Sequence, residues 1–168
     1  HADNGLSIQE FMTVPVHKQF SERVRMGSQI FHSLAAILRE KGYSTSVGDE
    51  GGFAPDLTNN EQAIKLLVAA IQAAGFTPGK QVYVALDLAA SEFYRGGKYY
   101  FLSSKQASPA DKMMRVLESW GNKYPLASVE DPLSEDDWDG WKVFTKRLGK
   151  KMMIVGDDIF VTNIKRIE

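Results

Sequence analysis

The chain of 168 residues contains no cysteine. That excludes disulfides, a thiolate zinc site and a cysteine nucleophile, and it fits a reducing compartment. Any metal must be held by oxygen or imidazole, and imidazole is scarce, because the 3 histidines are His1, His17 and His32. No Ser/His/Asp order can be argued from them, and His17 and His32 read as ordinary helix or loop residues. Charge of one sign is missing as well. The chain has 20 basic against 21 acidic side chains, a net charge of −1, so it lacks the basic footprint of a nucleic-acid or membrane-surface binder. No apolar run approaches the ~20 residues of a membrane span, and the opening His1-Ala2-Asp3-Asn4 has no signal pattern. A cytoplasmic location is the expectation. What remains is a globular composition, 43% hydrophobic and 24% charged, in a length that fits one domain. The sequence begins at His1 and stops at Ile167-Glu168 just as an amphipathic pattern begins, which suggests a piece of a longer protein.

Residues 7–16 mix β-branched and aromatic side chains in rough alternation, with Pro15 near the end, and predict a strand. From about residue 20 to 41, Phe20, Val24, Ile30, Phe31, Leu34, Ile37 and Leu38 recur at helical spacing before Gly42, which predicts a helix with that face buried. The glycine-rich stretch 47–55 must be a loop. A second helix is expected to open at Thr58, where Thr58 and Glu61 have capping-box spacing, and to stop at Gly75. After it, short apolar runs alternate with helices. Strands are expected over 82–87, 126–130 and 152–157, a hairpin turning at Gly96-Gly97 over 93–102, and helices from Ser108-Pro109 to about Gly121 and from the acidic run 135–137 to Gly149. This alternation implies an α/β fold on a parallel sheet, as an open sheet or an incomplete barrel.

Three of those strands end in an acid: Asp87, Glu130 and Asp157. In parallel α/β folds the carboxyl ends of all strands lie on one face, so these side chains are expected to converge across long sequence separations. Convergent carboxylates repel unless a hard divalent cation neutralises them, and an oxygen donor set selects magnesium, manganese or calcium. Singly, each acid is as well read as a cap for the next helix. Asp131, Asp136, Asp137, Asp139 and Asp158 read mostly as solvated or capping groups. Earlier in the chain, Glu10 sits inside an apolar strand, where desolvation raises a carboxyl pKa. Glu50 lies between glycines in Gly48-Asp49-Glu50-Gly51-Gly52, a loop able to fold closely over a ligand or to form an ordinary turn.

Six motifs in order, His1-Ala2-Asp3-Asn4, Gln9-Glu10-Phe11-Met12, the 48–55 loop, Asp87-Leu88-Ala89-Ala90-Ser91-Glu92, Ser128-Val129-Glu130-Asp131-Pro132 and Gly156-Asp157-Asp158, make the chain closely resemble the enolases. The resemblance implies a partial TIM-type β/α barrel, in which a strand-strand-helix-helix start is followed by strand-helix units. Residues 1–168 would be the N-terminal part of that catalytic barrel domain, with the flanking regions absent. It further implies a glycolytic lyase that reversibly dehydrates 2-phosphoglycerate to phosphoenolpyruvate with magnesium, cytoplasmic and homodimeric when complete. By the same resemblance Asp87, Glu130 and Asp157 hold the magnesium, Glu50 is the general acid and Glu10 its partner carboxyl. His1, Glu10, Glu130 and Asp157 would contact substrate. The family's lysine base would lie downstream, so the chain by itself is expected to be inactive. The competing reading is a pseudoenzyme or a non-catalytic binding protein on the same scaffold.

Overall fold

A computed structural model of the chain describes residues 5–100 and 107–168. Strand β1 (Glu10–Pro15) leads to helix α1 (Phe20–Glu40), helix α2 (Asn60–Ala73) and strand β2 (Val82–Asp87). A short 3-10 turn (Ala90–Phe93) and the hairpin β3 (Tyr94–Arg95) and β4 (Lys98–Tyr99) follow, then α3 (Ala110–Lys123), β5 (Leu126–Glu130), α4 (Trp138–Leu148), β6 (Met153–Val155) and α5 (Ile164–Ile167). The main sheet runs in the order β1-β2-β5-β6 and is open, with β1 and β6 at its edges.

The sheet is not wholly parallel. β2, β5 and β6 are parallel, but β1 is antiparallel to β2. Two consecutive helices explain this, since α1 and α2 each reverse the chain and β2 must then return against the direction of β1. One crossover helix between strands preserves direction, as α3 and α4 do. The α/β architecture and the strand-helix-helix-strand opening are as the sequence implies; the direction of β1 is the correction.

The core lies on one face of the sheet. Val82, Val84 and Leu86 of β2 and Val129 of β5 are fully buried against Ile64 and Ile71 of α2, Met113 and Leu117 of α3, and Phe144 and Leu148 of α4. The α1 stripe is buried only in part. Ile30 and Leu38 are enclosed, but Phe20 and Val24 are 77% and 55% exposed, because no described element packs over the first turns of α1. Among the described residues, no helix is long and apolar enough to cross a membrane.

Local chemistry sets the helix ends. Gly42 and Gly75 carry positive φ of 76° and 84° just beyond α1 and α2, where an L side chain would be strained. At α2 the cap is Asn59, whose side chain accepts the Gln62 N–H at 3.0 Å. The expected Thr58–Glu61 box does not form. Thr58 instead bonds the Gln62 side chain, and Glu61 is drawn to Lys123 and the Tyr124 hydroxyl. Ser108 pairs with Tyr99 and leaves Pro109 to cap α3, which runs through Gly121 to Lys123. The hairpin turns at Gly96-Gly97, both with positive φ, and the end of the expected hairpin, residues 101–102, lies outside the described residues.

A buried tyrosine ties that hairpin to α4. Tyr99 is 1% exposed, donates its hydroxyl to Asp137 at 2.8 Å and accepts the Ser134 N–H at 3.0 Å. Burial holds the phenol neutral. Asp137 in turn caps α4 by accepting the Gly140 N–H at 3.0 Å. Tyr99→Phe leaves the Ser134 amide without its acceptor, so a loss of about 1–3 kcal/mol in stability is expected. Thermal unfolding of the variant checks this, and an unchanged Tm would contradict it. The outer edge of β6 is a second vulnerability. Met153 there is 67% exposed on a strand that, among the described residues, pairs only with β5, which is an invitation to pair with another chain. Self-association of the chain is expected, reduced by Met153→Lys in sedimentation velocity; an unchanged distribution would place the contact elsewhere.

Candidate active site

Strand register builds the row of acids. Glu10 is opposite Asp87 and Asp87 is opposite Glu130, so their side chains leave the sheet on one face, away from the helices that cover Val84, Leu86 and Val129. The alignment depends on a bulge. Val84 pairs with Leu126 but Ala85 pairs with Ser128, so β5 carries one extra residue. Without that shift Asp87 would stand opposite Val129, and Glu130 would be out of register with it. Glu10 joins the row from the first residue of its strand because β1 runs backwards. Its approach is held by Asn60, fully buried, whose Oδ1 accepts the N–H groups of Ser7 at 3.1 Å and Ile8 at 3.3 Å.

Asp157 is placed differently from the sequence expectation. β6 ends at Val155, the partner of Glu130, and Asp157 lies two residues beyond it in a turn closed by the Phe160 and Val161 N–H groups on its carbonyl. That turn folds back onto Gly156. A Cβ there would collide with Ile159 and Phe160, so the close approach requires glycine. Asp131, expected to be a solvated or capping acid, is buried at 3% exposure and accepts the N–H groups of Asp157 and Asp158. Its one visible sequence signal is an Asp directly after a strand end, a residue type that tolerates the left-handed φ of 39° found there.

The 48–55 loop brings a further carboxyl to this end of the sheet. Val47 pairs with Phe53, and the Gly51 N–H closes a turn on the Gly48 carbonyl at 3.0 Å with Asp49 and Glu50 at its tip. Phe53 anchors the loop by stacking on Phe31 of α1, ring centroids 4.3 Å apart. Glu50 thereby comes close enough to Glu10 to raise its carboxyl pKa. A cleft of about 590 Å³ opens between this loop, β1, α1 and α2, with Glu10 and Glu50 in a largely apolar wall. His1 lies outside the described residues.

The electrostatics follow from the crowding. Interaction of the protonated Glu10 with Glu50, then burial, then the charges of Glu50, Asp87 and Glu130 hold the Glu10 carboxyl up at about 7. Crowding of this kind favours the protonated form of Glu10. Burial, followed by the charges of Asp131, Asp158 and Asp157, pushes Asp87 up to about 6 against the relief of an Ala89 N–H at 3.0 Å. Glu130 and Asp158 are raised by burial and by their acidic neighbours, and Asp131 is raised by burial despite its backbone donors. In chemistry this all-oxygen, mutually repelling set fits a hard cation. In placement the side chains remain apart: among the described residues, no three carboxylate or imidazole groups stand close enough to enclose a metal ion.

These shifts give stability a definite pH dependence in the absence of divalent cations. Glu10 and Asp87 release their protons near 7 and 6 when folded, but near ordinary carboxyl values, about 4, when unfolded. Between those limits the folded state binds more protons, so stability falls as pH rises. The ion-paired Glu61, Asp111 and Glu118, held low by their cationic partners, act in the opposite sense only below the ordinary carboxyl range. The metal-free chain is therefore expected to melt at higher temperature at about pH 5 than at about pH 7.5, and Glu10→Gln should shrink the difference. Calorimetric melting at both values tests this, and a rise in Tm with pH would contradict it.

The family model described as "Enolase, C-terminal TIM barrel domain" matches residues 1–168, the whole chain. With an α/β architecture, an open arc of parallel strands and acids gathered at one end of it, the chain belongs to the enolase C-terminal barrel family.

Proposed function

We propose that the chain forms the first part of the catalytic barrel of a magnesium-dependent lyase that, when complete and dimeric, reversibly dehydrates 2-phosphoglycerate to phosphoenolpyruvate. The observation that carries this reading is the approach of the Glu50 loop to Glu10, whose carboxyl is held up at about 7, beside the Asp87–Glu130 edge. Dehydration requires a proton for the departing 3-hydroxyl, and a carboxyl that keeps its proton near the working pH can supply it. Glu50, at the tip of a tight turn, is the donor, and Glu10, whose carboxyl is held up at about 7, is its partner. Asp87, Glu130 and Asp157 are the residues that would hold magnesium. Bound there, the ion supplies positive charge against the substrate carboxylate while the C2 proton is removed. Glu10, Glu130, Asp157 and His1 would also contact substrate, and the base that takes the C2 proton is not assigned within this chain.

A second reading, a scaffold of the same family without catalysis, draws support from the spread of the acids, which do not close around an ion among the described residues. The two readings separate in the complete enzyme. Asp157→Asn is expected to weaken magnesium binding in calorimetric titrations. Glu50→Gln is expected to leave that binding nearly intact while slowing phosphoenolpyruvate formation by ~10²–10⁴-fold. Equal weakening of magnesium binding by both substitutions would contradict the assigned roles, and no phosphoenolpyruvate from the unaltered enzyme would favour the non-catalytic scaffold.

A further inference from the structure

Asp131 has no role in the chemistry above, yet its polar groups tie three strand ends together. Its N–H donates to the Val155 carbonyl at 3.1 Å, at the end of β6, and its own carbonyl accepts the Ala90 N–H at 3.1 Å, just past β2. Its carboxylate reaches the turn after β6. Both oxygens accept the Asp157 N–H at 3.2 Å, and Oδ2 also accepts the Asp158 N–H at 2.9 Å. The left-handed φ of 39° directs the side chain there, and the residue is 3% exposed, so its oxygens face backbone donors and not an open site.

We propose that Asp131 is a positioning residue: by clamping the backbone of Asp157 and Asp158 it sets the direction of the Asp157 carboxylate, and through it the affinity of this end of the barrel for magnesium. The inference rests on the reading of Asp157 as a magnesium ligand. The geometry favours it over two simpler roles. Direct ligation would require a carboxylate oxygen open to the site, but Asp131 is buried at 3% exposure with both oxygens turned to the backbone of residues 157 and 158. General stiffening would not require the bonds to converge on the two residues that carry the acid. Gly156 completes the arrangement, since only a residue without a Cβ lets the turn lie back within reach of the clamp.

The clamp needs an acceptor, not a charge, and a single oxygen at the position of Oδ2 can accept from both amides. Asp131→Asn therefore preserves the decisive bonds, and Asp131→Ala removes them. Removing a residue that orients a metal ligand typically costs about 10–100-fold in metal affinity. Calorimetric titration of the complete enzyme with magnesium alone, well below the melting temperature of every variant, is the test. Asp131→Ala is expected to bind magnesium about 10–100-fold more weakly, with Asp131→Asn recovering most of the loss. Asp157→Asn serves as the reference for loss of the ligand itself. Unaltered affinity in Asp131→Ala, or equal losses in the Ala and Asn variants, would overturn the positioning role while the magnesium reading stands. If Asp157→Asn binds magnesium as tightly as the unaltered enzyme, the magnesium reading fails and the inference falls with it.

Discussion

Like charges crowded at one end of a sheet are the constraint from which the rest of this structure follows. Glu10, Asp87 and Glu130 stand side by side across three strands, with Asp131, Asp157 and Asp158 close behind. No fold assembles such a row without compensation, because burial and mutual repulsion both oppose ionisation. The compensation visible in the chain takes three forms. Glu10 and Asp87 are pushed toward their protonated forms, backbone N–H groups are directed at Asp87 and Asp131, and Glu50 is brought up beside Glu10. The helices stay on the opposite face, where Val84, Leu86 and Val129 form an apolar floor that fixes the strands without touching the acids.

This division of labour explains which features were legible in the sequence. Apolar periodicity reports burial, so the helices, the central strands and the α/β class could be read from residues such as Ile64, Ile71, Val84 and Leu86. Glycines that need a positive φ, Gly42 and Gly75, marked helix ends correctly. Acids at the ends of runs 82–87 and 126–130 marked one end of the sheet, and Glu10 stood out because a carboxyl in an apolar strand demands an explanation. The approach of Glu50 to Glu10 was foreshadowed only by the resemblance, since their loop and strand are far apart in the sequence.

The features that could not be read depend on pairing between distant segments. Nothing local in β1 records that β2 will return against it; that follows from two helices in a row. Thr58 and Glu61 have the right spacing for a box, but Lys123 and Tyr124 outbid the local partner for Glu61. Phe20 and Val24 share the helical period of Ile30 and Leu38 and yet face outward, because periodicity describes a face and not what covers it. Asp131 looked like one acid among several. Its importance lies in where the turn after Val155 passes, a fact of tertiary structure alone.

The bulge between β2 and β5 carries a consequence for how the chain reaches this structure. A parallel pairing between segments separated by a whole helix forms late, after a costly loop closure. As the two strands meet, a straight ladder without the extra residue satisfies much the same backbone hydrogen bonding. That slipped state would oppose Asp87 with Val129 and turn an acid toward the helices. It is a near-miss in backbone terms and a poor structure in side-chain terms. Carboxylates forced against an apolar floor would make that register costly, so the same acids that burden the finished site also favour its register.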